Sequence, residues 1–233
     1  SATMFTLSPE PVRTVSSPLQ KETLCCDLLR TRVLAKGSLT RYDEVMIHGR
    51  IVRLRPLERT DIPQLKSWFD KPEVRRGLFV HSPMSLAAEE RWFEDQDKSE
   101  HTILGIEIPD GESWKLIGNV GMVKVNWKDR HGDLGIMIGE SQEWGKGYAT
   151  DAIETMCRYG FEELNLHRLQ LEVFDFNGAA RKVYGKCGFR LEGTRREAYF
   201  SEGRYHDIHQ MGLLASEYVS DRESKAENED DLD

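Results

Sequence analysis

The stretch from Gln142 to Thr150 constrains the fold of this chain more than any other. It holds glycines at positions 145 and 147. It lies between an apolar run typical of a β-strand, Leu134 to Ile138, and an amphipathic run typical of a helix, Tyr148 to about Leu164. The first amides of a helix have no partner inside the helix, and the helix dipole is positive there. A strand, a glycine-containing loop and a helix start therefore predict a site for an anion such as a pyrophosphate.

The glycines of this loop suit a phosphate because they carry no Cβ, so the backbone can approach closely, and Lys146 adds a cation. The loop is not a P-loop, in which Ser or Thr would follow the lysine. It is not the dinucleotide fingerprint either, since Thr150 stands where a small residue is needed. A β-to-α turn that uses its glycines only for backbone geometry remains the alternative at this point.

Charge and composition exclude several classes of partner. The net charge is −8, but eight acidic and two basic residues lie between Glu217 and Asp233, so the acidity is mainly that of a tail. No basic face indicates nucleic-acid binding, and no apolar run reaches the ~18 residues that span a membrane. The four cysteines show no metal or disulfide spacing, which suits a reducing cytoplasm. We therefore predict a cytoplasmic protein with no nucleic acid and no membrane as partner.

The chain divides into three predicted segments. Residues 1–48 mix Ser, Thr and Pro with a short apolar-periodic piece near Leu24 to Leu34, which predicts a partly disordered N-terminal extension. Residues 49–216 form the domain, and residues 217–233 form a disordered acidic tail. The extension is a candidate lid, or a candidate contact in a homo-oligomer.

Within the domain, alternation and helix-start signals predict the order β-α-α-β-β-β-α-β-α-β-β. The first strand is Ile51 to Leu57, and three antiparallel strands lead into the glycine loop. The helix after the loop is predicted as a crossover between two parallel strands. The expected fold class is α+β, with a mixed, mostly antiparallel sheet flanked by helices.

Two segments resemble motifs of the GNAT N-acetyltransferase superfamily. Gln142-x-x-Gly145-x-Gly147 is similar to its Q/R-x-x-G-x-G/A acetyl-CoA motif. Asn177 to Phe189 is similar to its N-x-x-A-x-x-x-Y-x-x-x-G-F segment, with matching spacing and in the expected order. The resemblance implies the GNAT acyl-CoA N-acyltransferase fold, with acetyl-CoA as cofactor and an amine as acceptor.

The branch of the superfamily is indicated by two further stretches. Trp144 to Thr150 and Ile51 to Leu57 look like the branch that contains ribosomal-protein N-terminal acetyltransferases and spermidine acetyltransferases. The resemblance covers about Ile51 to Leu214, and it includes neither the N-terminal extension nor the acidic tail.

The resemblance also implies where the cofactor binds. The strand before the loop splays from the following strand in this family, and the pantetheine arm lies in the gap like an added strand, held by backbone groups. Gly139 suits a bulge there. The implied cofactor-binding residues are Met137, Ile138, Gln142, Gly145, Lys146, Gly147, Tyr148, Ala149, Asn177 and Lys186. For Lys186, as for Arg181 and Lys182, a solvated helix charge is the equal alternative.

Tyr184 is, by the same resemblance, the acid that protonates the departing thiolate. A thiol with a pKa near ~8.5 and a phenol near ~10 form a workable pair. Seven residues along a helix return nearly to the same face, so Asn177 would hold the pantetheine arm while Tyr184 reaches the sulfur. A tyrosine that only packs in the core is the alternative.

Glu172 and Asp133 are the candidate bases for the acceptor ammonium. Glu172 occupies the register where some N-terminal acetyltransferases of the family carry a glutamate thought to act as base, and burial would strengthen it. A salt-bridged glutamate facing a helix is the equal alternative. Asp133, at the start of the strand before the loop, is the second choice, as an ammonium ligand or a water-relayed base.

The predicted function is acetyl transfer to a primary amine by direct attack in a ternary complex. The acceptor is a protein N-terminal α-amine or a small amine, and Glu172 leans toward the α-amine. A spermidine-type polyamine is the alternative acceptor, and a catalytically silent acyl-CoA-binding or regulatory module is the alternative of another class. The histidines show no metal spacing, so no metal site is assigned.

Overall fold

The computed structural model describes residues 46–80, 82–96 and 102–219. Its strands are β1 (Ile47–His48), β2 (Arg53–Pro56), β3 (Thr102–Asp110), β4 (Ser113–Asn126), β5 (His131–Ile138), β6 (Arg168–Phe174), β7 (Arg190–Ser201) and β8 (Arg204–Leu214). Its α-helices are α1 (Ile62–Phe69), α2 (Pro72–Arg75), α3 (Leu86–Gln96), α4 (Tyr148–Arg158) and α5 (Gly178–Lys186). The expected fold class is confirmed. The predicted elements occur in the predicted order, and the structure adds strand β1 and the short helix α2.

All eight strands form one sheet in the order β1-β2-β3-β4-β5-β6-β8-β7. Every neighbouring pair is antiparallel except β5 and β6, which are parallel. Parallel neighbours need a crossover connection, and α4 supplies it, as predicted.

Strand β5 separates two hydrophobic clusters because successive side chains of a strand point to opposite faces. Leu134 lies in the cluster that contains Ile153 and Met156 of α4. Met137 lies in the cluster that contains Leu65 and Trp68 of α1. We call these two sides of the sheet the α4 face and the α1 face.

Two helical segments have details that the sequence pattern does not show. The helix expected to reach Leu164 ends as α-helix at Arg158 and continues as a π-helical turn, Tyr159–Glu163, in which Leu164 N donates to Tyr159 O at 3.0 Å. Pro72, which follows the end of α1 at Phe69, starts the short helix α2. Proline suits that position because the first helical amides need no partner within the helix.

Residues at both ends of the predicted domain pack on it. Strand β1, from the predicted extension, pairs Ile47 with Leu54 of β2. Tyr218, from the predicted tail, packs against Phe161 with ring centroids 5.0 Å apart. The rest of the extension, with its expected short helix near Leu24 to Leu34, and the tail beyond Val219 lie outside the described residues.

The turn between β1 and β2 is held by one side chain of α4. The buried carboxylate of Asp151 accepts hydrogen bonds from the amides of Arg50 (3.0 Å), Ile51 (2.8 Å) and Val52 (2.9 Å). A carboxylate that accepts several backbone hydrogen bonds is strongly stabilised. Asp151 therefore ties the edge of the sheet to the first turn of the helix that follows the glycine loop.

Candidate functional site

Strands β5 and β6 open into a fork. They pair at only three positions, and the last pair is Asp133 with Gln170. Beyond it β5 continues for five residues to Ile138, and β6 continues for four residues to Phe174, with no pairing between them. The splay implied by the resemblance is present, and it leaves an opening into which an extended group can add as a strand.

The glycine loop leads from the end of β5 to an α4 terminus with free amides. Gly145 (φ 78°) and Gly147 (φ 90°) adopt the left-handed conformation that glycine favours. The first bond of α4 runs from Asp151 N to Gly147 O. Among the described residues, no backbone or side-chain acceptor is bound to the amides of Tyr148, Ala149 and Thr150. These amides point a positive dipole end at the loop, as an anion site requires.

Lys146 is held beside this site by Glu143. The two side chains are 2.8 Å apart, and Glu143 also lies 3.3 Å from Lys115 Nζ. The hydrogen bond from Lys146 lowers the pKa of Glu143, and the same bond raises the pKa of Lys146. Gln142 is exposed in the short turn that begins the loop. The ammonium group of Lys146 therefore lies at the glycine loop, where Glu143 would compete with a bound anion for it.

The end of β5 is distorted by a bulge, which confirms the expectation for Gly139. The amides of Gly139 and Glu140 both donate to Ile117 O, at 2.8 and 3.2 Å. Trp68 closes this corner: a Cβ at Gly139 would lie 2.0 Å from its ring, and its Nε1 donates to Glu140 Oε1 at 2.8 Å. Helix α1 thus holds the exit of β5 toward the loop.

The two residues expected to hold the pantetheine arm present their backbones differently. The carbonyl of Met137 faces β4, since it would lie 2.0 Å from a Cβ at Gly118. The backbone N–H and C=O groups of successive strand residues point to opposite edges of the strand. The N–H and C=O of Ile138 therefore point away from β4, toward the fork. The Ile138 carbonyl accepts a hydrogen bond from Trp144 Nε1 at 2.8 Å. Of the pair, Ile138 has its backbone groups on the side of the fork, whereas Met137 contributes a buried side chain to the α1 face.

Tyr184 is buried on the α4 face, in the cluster that also contains Leu134 and Val173. Its side chain is 6% exposed, and its hydroxyl makes no hydrogen bond to any residue that the structure describes. Burial, with a smaller contribution from Cys187, raises the pKa of Tyr184 to about 12. The phenol therefore keeps its proton at neutral pH and has it free to donate.

Asn177 and Lys186 lie at opposite ends of α5. Asn177 Oδ1 accepts from Ala180 N at 3.1 Å and caps the helix, which leaves its amide nitrogen for another partner. Lys186 is exposed in the last turn, as is Lys182 one turn before it. Arg181 is also exposed and lies 3.3 Å from His209 Nε2.

Asp133 and Glu172 have different surroundings. Asp133 lies at the base of the fork, and its Oδ1 accepts from Gln170 Nε2 at 2.6 Å. Glu172 is exposed, and Arg195 binds its carboxylate. The burial that would strengthen Glu172 as a base is therefore absent, and the salt bridge of the alternative interpretation is present, although its partner is on strand β7 and not on a helix.

The part of the chain that the structure describes lacks two further features. None of its helices is long and apolar enough to cross a membrane. In the same residues, no three His, Cys, Asp or Glu side chains are grouped so that they would hold a metal ion.

A family model described as an acetyltransferase (GNAT) domain matches residues 52–190. This chain belongs to the GNAT acetyltransferase family. The match spans the fork, the glycine loop and Tyr184, and it ends at the start of β7. The chain is therefore an N-acetyltransferase, whose reaction is acetyl transfer to an amine.

Relatives of two kinds are found within the GNAT family. Spermidine N(1)-acetyltransferase of Vibrio cholerae is 37% identical over 169 residues, which cover 72% of this chain and 95% of that protein. A putative ribosomal N-acetyltransferase of Bacillus subtilis is 27% identical over 175 residues, 73% of this chain and 95% of that protein. Both kinds are in the branch that the sequence resembles.

A solved structure shares the GNAT fold seen here. The crystal structure of spermidine N-acetyltransferase from Vibrio cholerae in complex with CoA and spermine has a TM-score of 0.67 at 30% identity. The similarity covers 72% of this chain and 98% of that one.

Sequence reasoning missed three residues that shape this GNAT site. Asp151 holds the β1–β2 turn, Trp68 holds the bulge at Gly139, and Trp144 binds the Ile138 carbonyl. The only local signal was the position of Asp151 in the first turn of α4. An acid at that position is favourable to the helix dipole, so it does not by itself indicate a distant partner. The partners of all three residues became visible only in the fold.

Proposed function

We propose that this chain transfers the acetyl group of acetyl-CoA to a primary amine, by direct attack of the amine on the thioester in a ternary complex. The observation that carries the proposal is the fork between β5 and β6, followed directly by the free amides at the start of α4. A diphosphate on the helix and an extended thioester in the fork fit this arrangement together.

The described residues fit acetyl-CoA, which supplies the acetyl group in activated form as a thioester. The amides of Tyr148, Ala149 and Thr150 would hold the pyrophosphate, since all three lack partners among the described residues. The other residues that would hold the cofactor are Gln142, Gly145, Lys146 and Gly147 of the loop, Met137 and Ile138 of β5, and Asn177 and Lys186 of α5. Of these, Ile138 would make the backbone contact in the fork.

Tyr184 would donate its hydroxyl proton toward the departing sulfur. A pKa of about 12 makes the buried phenol a weaker acid than a thiol, whose pKa is near ~8.5. Complete proton transfer in this environment is therefore uphill, and the gain comes from a hydrogen bond to sulfur that strengthens as negative charge develops. A phenol that stays protonated is suited to that role.

Asp133 is the better placed of the two candidate bases. It lies at the last pair before the fork opens, next to the expected position of the thioester. Gln170 binds one of its oxygens, and the other oxygen accepts no hydrogen bond from a residue that the structure describes. Glu172 is already bound by Arg195, so we assign ammonium binding and water-relayed proton removal to Asp133 first and to Glu172 second.

The acceptor in this proposal is a protein N-terminal α-amine or a small amine. The alternative, a polyamine of the spermidine type, is supported by the 37% identity to a spermidine N(1)-acetyltransferase. Glu172 favoured the α-amine only as a buried base. Because it is exposed and paired with Arg195, it no longer favours that acceptor. The choice therefore depends on the acceptor assay and not on this residue.

The assay measures CoA release by the full chain with spermidine, spermine, amino acids and short peptides with free N-termini. Release with at least one amine, and mass spectrometry of the acetylated product, is the expected result. If acetyl-CoA binds tightly in calorimetry and no amine releases CoA, the silent acyl-CoA-binding module replaces the enzyme. A response to polyamines alone removes the peptide acceptor.

Two accompanying proposals concern the location of the protein in the cell and its oligomeric state. A cytoplasmic location is supported by four cysteines without disulfide spacing, of which Cys157 and Cys187 form no disulfide with another described residue. A homo-oligomer is proposed as well, and light scattering of the full chain tests it.

A further inference from the structure

Gly135 is a glycine in the middle of β5 that the backbone does not require. It is not among the glycines with positive φ, so an ordinary residue can adopt its conformation. A Cβ built at this position meets no described atom within 4 Å. Glycine inside a strand lowers stability because it has no side chain to pack and loses more entropy on folding. A reason other than the fold therefore has to account for the missing side chain.

Neighbouring glycines of the same sheet behave differently. Gly121, the direct partner of Gly135 on β4, would place a Cβ 2.4 Å from the carbonyl of Thr102. Gly118 would place one 2.0 Å from the carbonyl of Met137. Both are needed because another strand approaches closely, whereas open space lies over Gly135.

The open space lies on the α1 face and borders the fork. Gly135 shares its face with Asp133 and Met137, because alternate residues of a strand point the same way. Met137 packs against α1, and Asp133 forms the last pair before the fork. Gly135 is therefore beyond the last pair, at the edge of the opening, and is partly exposed.

The cofactor would reach the fork from the opposite side. Tyr184 packs in the cluster of the α4 face, and the free amides belong to α4 itself. On the proposed function, this face is filled by coenzyme A, so the amine has to approach the thioester from the α1 face. Gly135 is the position on that face where the strand leaves room next to the reacting carbon.

We infer that Gly135 is a specificity-determining residue for the acceptor, and that its missing side chain makes room for substituents on the carbon that carries the amine. This inference rests on the proposed function and adds the acceptor side to it. An α-branched amine, such as a peptide N-terminus, uses this room, while an unbranched amine, such as the end of spermidine, needs less of it.

The test compares Gly135→Ala and Gly135→Val with the wild type and with Gly193→Ala. Gly193 is a matched strand glycine whose Cβ would be 3.6 Å from Gln210, and two strands separate it from β5. CoA release gives kcat/KM for an alanyl peptide and for spermidine. Calorimetry gives the Kd of each acceptor for the CoA-bound protein and the Kd of acetyl-CoA, and thermal unfolding gives Tm.

We expect the Tm of both Gly135 variants to be unchanged or higher, and the Kd of acetyl-CoA to change less than about twofold. One carbon more or less in an acceptor pocket changes selectivity by roughly 10–200-fold. The alanyl peptide should lose about tenfold in kcat/KM with Ala and about a hundredfold with Val, with weaker acceptor binding in calorimetry. Spermidine should lose less with Ala, and Gly193→Ala should change none of these values.

Active Gly135 variants with unaltered acceptor binding and selectivity overturn this inference and leave the proposed function standing. Weakened acetyl-CoA binding, or a lower Tm, also overturns it, because Gly135 would then serve the cofactor or the fold. A wild-type protein that binds acetyl-CoA and acetylates no amine overturns the proposed function, and this inference with it.

Discussion

The indole of Trp68 occupies the space that any side chain at Gly139 would need. Trp68 is completely buried, so it has little freedom to move aside. Through this contact, helix α1 sets the bulge at the end of β5, from which the glycine loop starts. The corner that positions the glycine loop is therefore a packing arrangement between two parts of the chain about seventy residues apart.

Gly139→Ala should destabilise the domain through this contact. A methyl group 2.0 Å from the indole forces a shift of a packed core, which costs about 2 kcal/mol or more. Urea unfolding measures the change in the free energy of unfolding, with Gly193→Ala as the control. A loss below about 0.5 kcal/mol would contradict the contact.

On the proposed function, Tyr184→Phe should lower kcat by roughly 100-fold, because it would remove the hydrogen bond to the departing sulfur. The Kd of acetyl-CoA should stay within about threefold, since the proposed pyrophosphate and backbone contacts would not involve the phenol. Steady-state kinetics and calorimetry give the two values. If cofactor binding is lost together with activity, Tyr184 has a structural role.

The pH dependence of stability should also reveal Tyr184. Its pKa is raised from 10.0 to about 12, so the unfolded chain ionises first as pH rises, and ionisation pulls the equilibrium toward unfolding. The contribution of protonated Tyr184 to the free energy of unfolding is fully retained below pH 10, and it is lost as the pH rises from 10 to about 12. At pH 11 the loss is about 1.4 kcal/mol. Relative to Tyr184→Phe, the wild type should lose this amount between pH 9 and pH 11 in urea unfolding.

Asp151→Ala should cost about 3 kcal/mol, because it leaves three amides of the β1–β2 turn without their acceptor. Asp151→Asn keeps one acceptor oxygen and should cost about half as much. The removed charge lies in the first turn of α4, so acetyl-CoA should bind no more weakly to folded Asp151→Asn. Urea unfolding tests the loss of stability, and calorimetry tests the binding of acetyl-CoA. An Asp151→Ala protein as stable as the wild type would contradict the predicted loss.

Glu143→Gln should tighten acetyl-CoA binding, because Lys146 and Lys115 no longer face a carboxylate. The expected gain is about threefold in Kd at low salt, and it should disappear near ~1 M salt, where exposed charges are screened. Calorimetry at two salt concentrations measures it. Unchanged binding at low salt would mean that Lys146 does not reach the phosphates.

Local patterns predicted the elements of this fold well. Alternation and helix-start signals placed strands β2 to β8, α4 and α5, and the glycines at 145 and 147 predicted the loop, because these signals act within a few residues. Strand β1 was missed, since it lies in the predicted extension. The positions of Tyr184 and Asn177 at opposite ends of one helix followed from helix geometry and the family resemblance.

Partners across the fold could not be predicted in the same way. The pairing of Glu172 with Arg195 depends on the hairpin that brings β7 and β8 beside β6. The open space over Gly135 depends on what covers the α1 face, which the spacing of residues in β5 does not encode. In both cases, the relevant neighbours are distant in sequence, and only the assembled sheet determines them.

The bonds from Asp151 to the first strands cross 99 to 101 residues of sequence. A ribosome synthesises the β1–β2 turn long before it reaches α4, so the amides of this turn have no native acceptor during that interval. The β1–β2 turn, which is synthesised first, therefore gains its hydrogen-bond acceptor only when Asp151 of α4 has been synthesised. Contacts of such long range slow folding, and we expect the edge of the sheet to form late, when α4 has left the ribosome.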